Sequence, residues 1–243
     1  MNKPTTTTML AFASLLASFS AAGCTDTPTN EMDGYLAKYA SDPFGPAPLF
    51  RPSTCQEIAD YVPGLTDGEY TLYVQNEATP RWKAYCANMQ STPTEYLSLV
   101  HDAGMNTSSY VSANGRITTA YEKVRIDPAS LTIDIGDTTF ATSTGTATHN
   151  GTTLTSMPYG IAMGCGAEAT MNINLRGTQF RLESALAQYG TDVKPTATLS
   201  NDRKLLDMTA TGTCGWVAQD IYVNPTSEAE QFRLRLSLFP VAM

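Results

Sequence analysis

The side chains that could carry chemistry in this chain are few: two histidines (His101 and His149), five cysteines, and the aspartates Asp127, Asp134 and Asp137, close together in RIDPASLTIDIGDTTF. A zinc protease of the HExxH type needs two imidazoles on one helix face and a glutamate that activates water. Here the histidines are far apart, both fall in segments that read as loops, and the motif does not occur. A serine hydrolase needs a nucleophile, a base and an oxyanion hole, and its nucleophile often sits in a GxSxG elbow between strand and helix. No such elbow is present, and both histidines, His149 in the turn-like ATHNGTT, read as surface side chains. Paired carboxylates could hydrolyse a glycosidic bond if held roughly 5–9 Å apart, and the same oxygens could ligate calcium. Asp127-Pro128, however, starts a turn, and Gly136-Asp137 reads as the hairpin connection between the strands LTIDI and TTFATS. The spacing fits no EF-hand loop. These acids are therefore expected at turns, with no catalytic residue, no metal site and no cofactor.

The cysteines divide into one and four. Cys24 follows Ala21-Ala22-Gly23 at the end of the apolar run MLAFASLLASFSAA, and Lys3 supplies a positive start. The run is too short for a transmembrane helix, which needs about 20 apolar residues, and it fits the centre of a secretory signal peptide. Small residues directly before a cysteine suit a lipoprotein signal peptidase. The expectation is a signal peptide over 1–23 and a lipidated Cys24 as the mature N-terminus; an ordinary signal peptide cut near Ala22 would export the chain equally. Thr25, rather than aspartate, follows Cys24. By resemblance to bacterial lipoproteins this points to the outer membrane, with the protein periplasmic or on the cell surface. Cys55, Cys86, Cys165 and Cys214 remain, and none forms a CxxC pair. An even number in an oxidising compartment reads as two disulfides, with three possible connectivities.

Charge narrows the partners. Fifteen Lys and Arg stand against 23 Asp and Glu, a formal net charge of −8. Nucleic acid needs clustered basic residues and is disfavoured. Anionic lipid would find no basic patch, so membrane attachment would rest on the acyl chains at Cys24.

The elements that must position these groups are mostly strands. Residues 24–52 read as a tether, with Pro28, Pro43, Pro46, Pro48 and Pro52 and no sustained period. A flexible chain of that length spans roughly 30 Å. Order is expected from Ser53, where Ser53 and Gln56 form a capping-box pattern opening the helix TCQEIADY, ended by Pro63-Gly64. Asp67-Gly68 then turns into EYTLYV, with WKAYC as its antiparallel partner, Trp82 in the core. This helix–hairpin unit spans 53–90. From 91 to 243 the pattern is strand after strand, including EYLSLV, ITTAYEKVRI, LTIDI, TTFATS, TMNINL, TQFRLE, KLLDMTA and QFRLRLSL. Asn150-Gly151 is the strongest hairpin signal, and SALAQYG reads as one helical turn. The fold class is mainly β: an antiparallel sandwich or barrel-like body with a small disulfide-stapled helix–hairpin subdomain at its start.

Two resemblances cover most of the chain. CQEIADYVPGLTDGEYTLY…WKAYCANM resembles the opening of fibrinogen-like domains, in which the first cysteine of a short helix bonds the cysteine that ends the hairpin. That resemblance implies Cys55–Cys86. It leaves Cys165 and Cys214, in the glycine-rich MGCGAE and TGTCGW, as the second pair, with Trp216 packing near it. The order KVRID (Lys123 to Asp127), PYG (Pro158 to Gly160), INLRGTQF (Ile173 to Phe180) and CG (Cys214-Gly215) resembles the GON domain, the module that closes a subset of secreted ADAMTS-type metalloproteases. That module brings no catalytic residues, so the resemblance implies a non-enzymatic extracellular module despite the protease in the family's background. The function expected is a lipid-anchored binding or adhesion module whose partner is an extracellular protein or glycan. A hydrolase of cell-surface polymers and a self-associating envelope protein are the alternatives.

Overall fold

The computed structural model describes residues 50–77, 80–100, 104–182, 187–189, 194, 196–200, 202–219 and 233–238. Helix α1 (Cys55–Tyr61) opens the domain. Thr54 caps it: its hydroxyl accepts from Glu57 N at 3.1 Å, while the Glu57 carboxylate accepts from Ser53 N at 2.8 Å. The box thus lies one residue later than the Ser53–Gln56 reading. A carboxylate closes it better than an amide, and Gln56 turns outward to Asp60 instead. Phe50 stacks on Tyr61 with ring centroids 4.0 Å apart, and Pro52 O accepts from Tyr73 N. The last residues of the expected tether therefore pack on the domain.

Among the described residues seventeen strands follow. In chain order they are β1 (Gly68–Tyr73), β2 (Arg81–Ala87), β3 (Thr94–Ser98), β4 (Thr107–Ser112), β5 (Gly115–Tyr121) and β6 (Lys123–Asp127). Next come β7 (Thr132–Asp134), β8 (Ala141–His149), β9 (Thr152–Leu154), β10 (Ile161–Cys165), β11 (Ala169–Asn174) and β12 (Phe180–Leu182). The last are β13 (Ala187–Tyr189), β14 (Thr196–Leu199), β15 (Leu205–Ala210), β16 (Gly215–Gln219) and β17 (Arg233–Leu238). Two sheets result, and their buried side chains form one continuous core.

The first sheet runs β1-β2-β3-β6-β7-β17-β12, antiparallel throughout. Alternation sets its inner face: Leu72 opposes Trp82, Leu97 opposes Val124, and Ile126 opposes Ile133. The sheet curls until its two ends approach, so that Phe180 on β12 meets Trp82 on β2 edge-to-face at 5.2 Å. Among the described residues no ladder joins those ends, and the architecture is open rather than a closed barrel.

The second sheet forks. β4 pairs with β5 along one side; on the other it meets β11 at Ser108 and then runs parallel to β10. One arm continues β10-β16-β13 and the other β11-β15-β14, while β5 leads outward to β8 and β9. Glycine is needed where the arms diverge. A Cβ on Gly164 would stand 2.2 Å from Ala167 O and 2.5 Å from Ala210 O. At the root of the fork lies a buried polar knot on Asn106. Its Oδ1 accepts from Tyr159 OH (2.7 Å) and Asn174 N (2.8 Å), and its backbone N–H donates to Asn172 Oδ1 (2.9 Å).

Several local expectations change with the tertiary pairing. ITTAYEKVRI is two strands: Glu122 carries the chain from the second sheet into the first, its N–H donating to Phe140 O and its carbonyl accepting from Leu99 N. Gly136-Asp137 is a crossover rather than a hairpin loop, because β7 pairs in the first sheet and β8 in the second. Residues 187–189 of SALAQYG form β13 against β16, not a helical turn. Asn150 and Gly151, both at positive φ (49° and 82°), close a two-residue hairpin between β8 and β9.

Candidate functional site

Three of the acids that could have carried chemistry stay with their own turns. Asp127 accepts from Ala129 N at 2.9 Å and Ser130 Oγ at 2.7 Å. Asp134 accepts from Gly136 N at 3.1 Å. Asp137 accepts from Thr139 N at 2.9 Å and Tyr96 OH at 3.2 Å, and pairs with Arg125 at 3.8 Å. Trp82 is 1% exposed and belongs to the core. Cys24, the signal segment 1–23 and His101 lie outside the described residues.

The outer face of the first sheet sets Asp134 beside aromatic and basic groups that the motif reading did not single out. Because Glu69, Tyr85, Tyr96, Arg125 and Asp134 are successive cross-strand partners, they share one face across β1, β2, β3, β6 and β7. The loop after β7 folds over this face and lays Phe140 edge-on against Tyr96 (4.7 Å) and Tyr85 (5.5 Å). Lys123 places its Nζ 4.5 Å from the Tyr85 ring centre and 4.8 Å from that of Phe140. Tyr85 and Phe140 are half-buried, and the Arg125 side chain is half exposed. Burial first, then Asp67 and Glu69, raises the Tyr85 hydroxyl above its usual range, so it remains a donor at neutral pH. A partly exposed pair of rings with a cation between them, flanked by Arg125 and Asp137, can stack on a flat partner group and hydrogen-bond around it. The alternation Trp82, Ala84, Cys86 inward did point Tyr85 outward; the approach of Phe140 depends on the crossover loop.

A second cluster gathers around the cysteines. Cys55 bonds Cys86, both fully buried beneath α1. Cys165 bonds Cys214, one step beyond the Gly164–Gly215 pair of β10 and β16, with Cα atoms 3.8 Å apart. This bridge is accessible: Cys214 is exposed and Cys165 half-buried. His149 is not the surface side chain the sequence led one to expect. The last residue of β8, it is 9% exposed, with one ring nitrogen and the two sulfurs within 4.8 Å of one another. Tyr110 OH sits 3.1 Å from His149 Nδ1 and 3.5 Å from Cys165 Sγ. As a disulfide, the two sulfurs are not thiolate ligands, so this trio is not a zinc ligand set in the oxidised protein.

Comparison with known families decides what carries these features. A family model for the GON domain matches residues 52–116 and 109–228. The chain belongs to the GON-domain family. The two matched stretches overlap within the β4–β5 hairpin and together take in the first sheet's hairpin and the forked sheet. GON membership points to an extracellular module, and both disulfides lie within the matched residues. No curated protein and no solved structure matches the chain.

Proposed function

We propose that this GON-domain protein is a lipid-anchored, non-catalytic binding or adhesion module of a bacterial envelope, exported and held at the outer membrane through Cys24. Its partner is an extracellular protein or glycan, seated on the outer face of the first sheet. The observation that carries this reading is the Tyr85–Lys123–Phe140 cluster, half-buried and backed by the rigid ladder beneath it. Aromatic anchors with an adjacent cation are what energetically dominant contact sites are made of. The anchor follows from the sequence before Cys24, and no helix among the described residues is long and apolar enough to cross a membrane.

The alternatives have less behind them. A hydrolase would need two converging carboxylates, and Asp127, Asp134 and Asp137 are each engaged by their own turns. A self-associating envelope protein would offer a broad apolar face; among the described residues Tyr61 is the strongly exposed large hydrophobic one, at 63%.

The test is retention of the full-length protein, purified in detergent, on immobilised envelope polysaccharide and on intact cells bearing surface proteins. Tyr85→Ala with Phe140→Ala should weaken retention by about ten-fold or more while the melting transition stays cooperative. Equal retention by parent and variant would remove this face as the binding site. Stoichiometric zinc together with chelator-sensitive cleavage of protein substrates would overturn the non-catalytic reading.

A further inference from the structure

The His149–Tyr110–Cys165–Cys214 cluster has no part in that binding face, and its chemistry is its own. Asn150 Nδ2 lies 3.1 Å from His149 Nε2, and an amide nitrogen can only donate. In the neutral ring Nε2 is therefore the acceptor and Nδ1 carries the proton. Nδ1–H then donates to the Tyr110 oxygen, which leaves the Tyr110 hydroxyl proton free to point at Cys165 Sγ. The donor chain ends on one sulfur of the bridge, and the other sulfur belongs to Cys214, the exposed residue of the pair. The Cys55–Cys86 bridge offers a contrast: both its cysteines are 0% exposed.

We propose that Cys165–Cys214 is a thiol–disulfide exchange site, reduced by a dithiol, in which Cys214 is the sulfur attacked and Cys165 the leaving thiolate. The incoming thiolate forms a bond to Cys214 Sγ as the Cys214–Cys165 bond breaks, and the bonding electron pair leaves on Cys165. Tyr110 OH donates to that thiolate, with His149 holding the hydroxyl in place. The second thiolate of the dithiol then attacks the mixed disulfide and releases Cys214 as a thiolate. The dithiol is oxidised to a disulfide, and the protein gains two thiols. A better-stabilised leaving thiolate departs faster; Tyr110 contributes this directly, through its hydroxyl on Cys165 Sγ, and His149 is the positioning residue behind it.

The experiment uses the oxidised full-length protein in non-denaturing detergent. It is exposed to graded dithiothreitol, quenched by alkylation and mapped by peptide mass. Cys165 and Cys214 should be labelled while Cys55–Cys86 stays intact, and a pulse of glutathione should leave its adduct on Cys214. Tyr110→Phe should reduce about five- to ten-fold more slowly, while its oxidised form still unfolds in one cooperative transition. The proposal is overturned if both bridges open together or only on denaturation. It is also overturned if the adduct sits on Cys165, or if Tyr110→Phe reduces as fast as the parent. Loss of partner retention plays no part in these readouts, so failure here leaves the binding reading untouched.

Discussion

Glu95 shows how one side chain can tie fold stability to pH. It opposes Cys86 in the β2–β3 ladder and so points to the core side of the sheet, where its carboxylate accepts from Cys55 N at 2.7 Å. Burial raises its pKa above 4.5, outweighing the lowering by the Cys55 hydrogen bond and Arg125. An acid whose folded pKa is raised binds more protons when folded than when unfolded. Its favourable contribution is therefore complete below the ordinary value and is lost as pH rises through the folded value. Glu95→Gln keeps an acceptor for Cys55 N–H and removes the charge. It is expected to be more stable than the parent at pH 7, with the difference shrinking towards zero below pH about 4. Urea titrations at both pH values measure this, and an advantage unchanged at acid pH would contradict the assignment.

At the scale of elements, two joints hold the strands in register. The Cys55–Cys86 bridge closes a loop of sequence separation 31 between α1 and the end of β2. Replacing both with serine should lower unfolding free energy by about 3–4 kcal/mol, read from chemical denaturation. A loss under about 1 kcal/mol would mean that the helix and hairpin are held by packing alone. Gly164 is the other joint, at the divergence of β10 from β15. Both atoms that a Cβ would strike are backbone carbonyl oxygens, Ala167 O and Ala210 O, so neither can swing aside as a side chain would. Gly164→Ala should cost about 2–4 kcal/mol and also disturb the neighbouring Cys165–Cys214 bridge. An unchanged melting temperature would show that the fork has slack.

For the whole molecule, the proposal concerns where the single core sits in the cell. The proposed anchor makes a direct forecast: Cys24→Ala should move the protein from the membrane fraction to the soluble exported fraction. The same folded domain, with both disulfides, should be recovered by non-reducing peptide mapping. If the variant still sediments with membrane after a high-salt wash, the lipid is not what holds it. With 23 acids against 15 bases, the chain is expected to gain little from electrostatic attraction to anionic lipid.

Local pattern was enough to read the α1–β1–β2 unit, the alternating inner face with Trp82, the Asn150-Gly151 hairpin and the Asp127 turn, because each is decided within a few residues by capping, period-two alternation or positive φ. The GON motifs likewise stand in the sequence in order, and the run of short strands between turn residues carried the mainly β fold class. What the chain order could not disclose is which strand pairs with which. Glu122 splits one apparent strand between two sheets, and the segment after Asp134 crosses between them instead of turning back. From those long-range pairings follow the fork at β4, the fully buried Asn106 and its partners, and the outer-face meeting of Tyr85, Lys123 and Phe140. The same holds for His149. Its neighbours in sequence describe an exposed turn, but β8 delivers it to Tyr110 and the Cys165–Cys214 bridge, and only the packed sheets place an imidazole beside that sulfur.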